Sequence, residues 1–295
     1  MPYLRTDDRV RLYYEEHGDG PALVLCYGIG GNTDQWSKNV EALAARHRVI
    51  LWEPRGHARS DAPADPARYT FHRWVLDLRD LLAGLGLGKV TVGGHSLGGG
   101  IATRFALEFP RRVRALVVTD SSSAAGVPMS VAEFMMWARS LEVVDRDGIE
   151  AVAEYQLEHN ANLRALMRMT PSARADILAR FRRLQPAGFA NSLRAMMGMD
   201  SHADRLRAMR IPTLILAGDK DPSLGPARLM HRAVRGSRLV VFEPATHFAN
   251  REQPGAWNAA VLAFLAEVHG RARAPVRARA PRSAGRARRS ARPRS

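Results

Sequence analysis

The chain has 295 residues, 46% of them hydrophobic and 25% charged, with a formal net charge of +15. That length holds one large α/β domain, or a core domain with a sizeable insertion, and its apolar runs are too short to span a bilayer. The charge looks like a nucleic-acid signal until it is located: residues 271–295 hold ten arginines and no acid, so +10 of the total lies there and about +5 in the body. A single cysteine, Cys26, excludes an intrachain disulfide, and the first residues carry no apolar signal region, so a reducing, cytoplasmic location is expected.

In chain order, a hairpin is expected over residues 3–5 and 9–16, turning at Thr6-Asp7-Asp8. Apolar runs at 22–26, 48–52, 89–92, 114–119, 213–217 and 238–242 then alternate with helix-like segments at 35–45, 71–85, 97–108, 226–234 and 254–269. Strands alternating with helices predict an α/β fold: a mostly parallel, twisted sheet with helices on both faces. Cys26 falls inside one of those strands and reads as core filler.

The alternation stops between 127 and 210, where consecutive helices are expected at 131–141, 148–159 and 171–184, followed by shorter pieces. Thr170 before Pro171 reads as a capping hydroxyl ahead of a first-turn proline. Such a block predicts a helical cap, 127–210, inserted into a core made of 1–126 and 211–270. Nine of the eleven methionines fall in it. Thioethers fill irregular cores and line adaptable pockets alike, so Met135, Met136, Met196 and Met197 are candidates for facing a ligand. The Arg-, Ala-, Pro- and Ser-rich segment 271–295 cannot bury apolar surface and is expected to be disordered; contact with RNA, DNA or an anionic membrane is the alternative reading.

Chemistry concentrates at Gly94-His95-Ser96-Leu97-Gly98. A Gly-x-Ser-x-Gly arises by chance in about one chain in ten of this size, but here it joins an expected strand to an expected helix. A direct strand-to-helix turn strains the serine backbone, raises its hydroxyl at the sheet edge, and crowds out side chains at both glycines. The Leu97 amide then points where a carbonyl oxygen becomes negative. Ser96 needs a base, and His247 is best placed, in the loop after the last strand; His95 adjoins the nucleophile but should aim elsewhere. The loop Gly218-Asp219-Lys220-Asp221-Pro222 offers the orienting carboxylate, with Asp221 favoured, Asp219 as a turn-former and Asp120 as a further candidate.

These motifs, with Tyr27-Gly28-Ile29-Gly30-Gly31 and Arg55-Gly56-His57-Ala58-Arg59-Ser60-Asp61 ahead of them, resemble the α/β-hydrolase superfamily over about residues 10–268. Within it the chain looks most like the esterase and lactonase branch, including 3-oxoadipate enol-lactonase-like proteins. The resemblance implies that the Ile29 amide is the second oxyanion donor. Tyr27 stands where members usually have His, and Glu53 where many have Asp. Glu53 reads as a loop brace, Arg55 as a brace bonded to backbone carbonyls, and Trp36 as core packing or pocket lining.

The expected activity is hydrolysis of a small carboxylic ester or lactone through an acyl-enzyme, with no metal or organic cofactor. Two alternatives remain: carbon–carbon bond hydrolysis of ring-cleavage products by the same triad, and a non-catalytic scaffold with a nucleic-acid-binding tail. Dehalogenase and epoxide hydrolase chemistry need a carboxylate nucleophile, where this turn carries serine.

Overall fold

The central strands carry two apolar faces, which is the reason their sequences run apolar without alternation. In the computed structural model, which describes residues 2–273, eight strands form one sheet: β1 (Tyr3–Arg5), β2 (Arg11–His17), β3 (Ala22–Cys26), β4 (Arg48–Trp52), β5 (Val90–His95), β6 (Val113–Thr119), β7 (Thr213–Gly218) and β8 (Arg238–Phe242). Their order is β1-β2-β4-β3-β5-β6-β7-β8. The hairpin strands β1 and β2 are antiparallel, and every pairing from β4 onward is parallel.

Alternate residues of each strand feed two separate cores. Val24, Ile50, Leu116 and Ile215 join one cluster, and Leu23, Val49, Val117 and Leu214 the other. The first is covered by α2 (Phe71–Gly84) and α3 (Leu97–Glu108), through Trp74, Leu78, Ile101 and Phe105. The second lies under α1 (Val40–Ala44) and the C-terminal helix Pro254–Arg273, through Leu43, Trp257, Val261 and Leu265. The α/β expectation is met.

Between β6 and β7 the chain forms no strand and is mostly helical: α4 (Val131–His159), α5 (Ala161–Met169), α6 (Ala173–Phe181) and α7 (Pro186–Met197). Ser130 and Glu133 close a reciprocal capping box at the start of α4, and Gly148, at φ 85° and ψ −175°, breaks that helix midway. After β7 come α8 (Leu224–Ala233), α9 (Ala249–Glu252) and the C-terminal helix, α10.

Several local expectations are corrected. Thr170 does not cap a helix start: it terminates α5 at φ −139° and ψ 83°, and the next helix begins beyond Pro171. The proline pushes its predecessor out of the helical region. The helix expected at 35–45 splits into a tight turn, Thr33–Trp36, and α1, with the Asn39 amide turned inward onto the Asn250 carbonyl at 3.0 Å and Asn258 at 2.9 Å. Helix α10 continues to Arg273, into the segment expected to be disordered; the rest of that segment lies outside the described residues.

Arg55 braces the loop after β4 chiefly through carboxylates, not carbonyls as expected. It is fully buried, forms paired bonds of 2.7–2.8 Å to Asp77 and to Asp8, and reaches a single carbonyl, that of Arg68, at 3.0 Å. Burial pushes the Asp77 carboxyl up against the pull of Arg55, whereas Arg55 holds the half-exposed Asp8 carboxyl low. Arg55→Met should therefore leave the buried Asp77 carboxylate with Arg73 alone, at 3.3 Å, and lower stability by about 3 kcal/mol, read from urea unfolding.

Candidate active site

Ser96 sits at φ 52° and ψ −120°, between the last residue of β5 and the first of α3. The Ser96 N–H donates to the Thr119 carbonyl at 3.0 Å, so β6 holds the turn from one side. From the other side β3 closes in: a Cβ on Gly98 would lie 2.3 Å from the Cys26 carbonyl oxygen, and one on Gly28 2.8 Å from Ser96 Cβ. No side chain fits at either position without moving backbone.

That same contact sets the Gly28–Gly31 turn beside the serine. Gly31 N–H donates to the Gly28 carbonyl at 2.9 Å, leaving Ile29 between them. Among the described residues nothing accepts from the Ile29 or Leu97 amides. Leu97 is the donor expected from the serine motif and Ile29 the one the resemblance implies, and Leu97 adds the positive end of a 12-residue helix.

His247 follows β8, and its Nδ1 lies 3.0 and 3.1 Å from the two carboxylate oxygens of Asp221. Asp221 is buried and also accepts from the Ser223 amide at 2.9 Å and from the Ser223 hydroxyl. Burial alone would raise its pKa; His247 and Ser223 outweigh it and hold the carboxyl low. An ionised carboxylate only accepts, so Nδ1 carries the proton and Nε2 is left as the acceptor. His247 and Ser96 border one cavity. They are not hydrogen-bonded to each other, a contact often long until substrate closes the site.

The other candidates are placed elsewhere. His95 borders the cavity floor, but its Nε2 meets the His247 carbonyl at 2.6 Å and its ring stacks on Tyr27 at 4.2 Å. Burial drives its pKa well down, so it is a neutral donor bracing the histidine loop. Asp219 accepts from the Ala245 amide at 2.9 Å. Asp120 accepts from Gly218 N–H at 2.9 Å and Ala249 N–H at 3.2 Å, tying the Asp221 loop to the His247 loop. Burial, then the Asp221 charge, pushes its carboxyl well up. Glu53 braces its loop as expected, accepting from the Arg59 amide at 2.8 Å and the Thr33 amide at 3.2 Å.

A cavity of about 740 Å³ opens above Ser96 and His247, floored by the strand-end loops and roofed by α4–α7. Met136 and Met196 line it; Met129 and Met199 do too and were not singled out from the sequence. Met135 and Met197 do not. Each lies one residue from a lining methionine, and one helical step turns a side chain by about 100°; Met135 is 61% exposed. Trp36 is likewise excluded: it is buried against Tyr27 and Trp257, with ring centroids at 5.3 and 5.7 Å, in the core on the opposite face of the sheet. Sequence reasoning missed Gln35 and Arg180, both lining the cavity. A signal existed for Arg180, a cation three residues beyond Ile177 on the buried stripe of α6. Among the described residues, no group of three or more His, Cys, Asp or Glu side chains is arranged to hold a metal ion, and no helix is long and apolar enough to cross a membrane.

An eight-stranded, mostly parallel sheet with a serine at a strand-to-helix elbow defines a class, and a family model bears it out. The chain belongs to the α/β hydrolase fold family, whose model matches residues 21–254. It is 30% identical to a hydrolase from Pseudomonas aeruginosa PA01, covering 89% of this chain and 97% of that one with a TM-score of 0.79. It is 28% identical to a thermophilic esterase from Thermogutta terrifontis, covering 91% and 98% with a TM-score of 0.80. Among curated relatives, 3-oxoadipate enol-lactonase 2 of Acinetobacter baylyi is 27% identical over 88% of this chain and 95% of its own length. The esterase and lactonase resemblance drawn from the motifs is borne out.

Asp120→Ala should leave two buried amides without acceptors, at about 1–3 kcal/mol each. The expected result is a urea midpoint lowered accordingly; an unchanged midpoint would remove Asp120 from the framework of the site.

Proposed function

We propose that the chain is a serine hydrolase that cleaves a small carboxylic ester or lactone through an acyl-enzyme. Ser96 is the nucleophile, His247 the general base and Asp221 the carboxylate that fixes the imidazole. The observation that carries this reading is the Asp221–His247 pair opening on the same cavity as Ser96, beside two uncommitted amides.

His247 Nε2 takes the Ser96 hydroxyl proton as Oγ attacks the substrate carbonyl carbon. The carbonyl oxygen becomes negative against the Ile29 and Leu97 amides, where fixed donors act without reorganising. The bond to the leaving oxygen breaks, and His247 returns the proton to it. For a lactone this oxygen stays tethered to the acyl group. Water then attacks the acyl carbon, gives its proton to His247, and Ser96 leaves with that proton restored. Asp221 keeps Nδ1 protonated throughout and offsets the imidazolium charge.

Helices α4–α7 act as a cap, supplying an adaptable, methionine-bearing roof over the acyl or alcohol portion. The scheme draws on no metal or organic cofactor, and a cytoplasmic location fits it. The similarity to an esterase and to an enol-lactonase supports an ester- and lactone-cleaving role.

Labelling with a neutral fluorophosphonate tests the nucleophile: wild type should react and Ser96→Ala should not, while retained labelling in the alanine variant would discard the assignment. Asp221→Asn should lower kcat toward short acyl esters by about 10⁴-fold, because the amide no longer enforces the correct tautomer. A loss of tenfold or less in steady-state assays would count against Asp221 as the third member.

A further inference from the structure

The roof of the cavity brings in a cation that the protein itself leaves unpaired. Helix α6 turns Ala173, Ile177 and Phe181 inward, and Arg180 shares that side. The other arginines on and just after α6 are neutralised: Arg174 by Glu154 at 2.7 Å, Arg182 by Glu150 at 3.3 Å, and Arg183 by Asp34 at 2.7 Å. Among the described residues no carboxylate pairs with Arg180, and its Nε is buried without a hydrogen-bond partner. Burial lowers its pKa only to about 10, so the guanidinium keeps its charge at neutral pH.

The charge acts where the chemistry is placed. It is felt by Tyr27 and His95, which flank Ser96 at the floor of the cavity. Gln35, on the same floor, has both amide atoms buried with no partner. The acids that border the cavity are already engaged, Glu133 by the Ser130 cap and Asp221 by His247 and Ser223. With both acids committed, the free charge facing a ligand is positive, from Arg180 and from Arg164 on the same lining. Arg180 is half-buried, with its Nε shut off from any partner, and a planar guanidinium matches a carboxylate with paired bonds.

We infer that Arg180, with Gln35, forms a carboxylate-binding subsite, and that the substrate is an ester or lactone carrying a second, free carboxylate. The inference rests on acyl transfer at Ser96. It makes Arg180 a specificity-determining residue: an anionic acyl chain enters with its carboxylate toward α6 and its carbonyl at the elbow.

The test compares kcat/KM for 4-nitrophenyl hydrogen glutarate with that for 4-nitrophenyl valerate. Wild type should favour the anionic ester, and Arg180→Gln should reduce the ratio of the two by roughly 10–100-fold, as for loss of a charged hydrogen bond. Arg180→Lys should restore part of it. Independently, monomethyl glutarate titrated into Ser96→Ala protein should bind, with Kd raised by a similar factor when Arg180→Gln is added. A ratio and a Kd both indifferent to Arg180→Gln would overturn the subsite. Neutral fluorophosphonate labelling keeps the two readings apart: its failure in wild type would sink acyl transfer at Ser96, while the binding titration still decides on Arg180.

Discussion

Everything at the candidate site depends on how closely three backbone segments approach at the end of β5. The first turn of α3 lies against the Cys26 carbonyl, so closely that a Cβ on Gly98 would overlap it. This contact forces the turn to be completed at one residue, and Ser96 takes up a left-handed conformation that an L-residue adopts only under constraint. Ser96 is left bordering the cavity, with the uncommitted amides of Ile29 and Leu97 in the two turns that meet there. Backbone crowding thus sets the geometry, and the side chains inherit it.

The groups opposite the serine reach the same edge along separate strands and are held by buried polar bonds. Asp120, at the end of β6, uses both carboxylate oxygens to join the loop after β7 to the loop after β8. His95 does comparable work from β5, through the His247 carbonyl. Asp221 and His247 are therefore fixed to each other directly and through their loops. Such bracing lowers the reorganisation needed when charge develops on an imidazole or a carbonyl oxygen. Tyr27, in the position where His is usual, keeps a ring stacked on His95. Its departure from the pattern changes the cavity floor and leaves the backbone donors in place.

The roof follows another logic. Helices α4–α7 meet the sheet loops through side chains of varied shape, with four methionines bordering the cavity. Thioethers allow such a surface to adapt, while an unpaired guanidinium gives it a preferred charge. The floor accordingly carries the proposed chemistry and the roof the proposed selectivity, a division that lets one fold act on different acyl groups.

The sequence by itself determined the strand-and-helix alternation, the elbow at Ser96, and the loops bearing Asp221 and His247. Those are local properties: two-faced apolar runs, glycines where backbone crowds, and short loops at strand ends. What only the tertiary structure decided was which side each roof residue faces. Met136 and Met196 border the cavity while Met135 and Met197, one step along the same helices, do not. Composition cannot separate them, because helix phase is set by packing across α4–α7. Trp36 went to the far core for the same reason, through its contact with Trp257, a residue more than two hundred positions away. Arg55 gained carboxylate partners from β1–β2 and α2 that no local pattern announces. The environment of Arg180 likewise depends on which neighbours find acids, a question of three-dimensional pairing that chain order alone leaves undetermined.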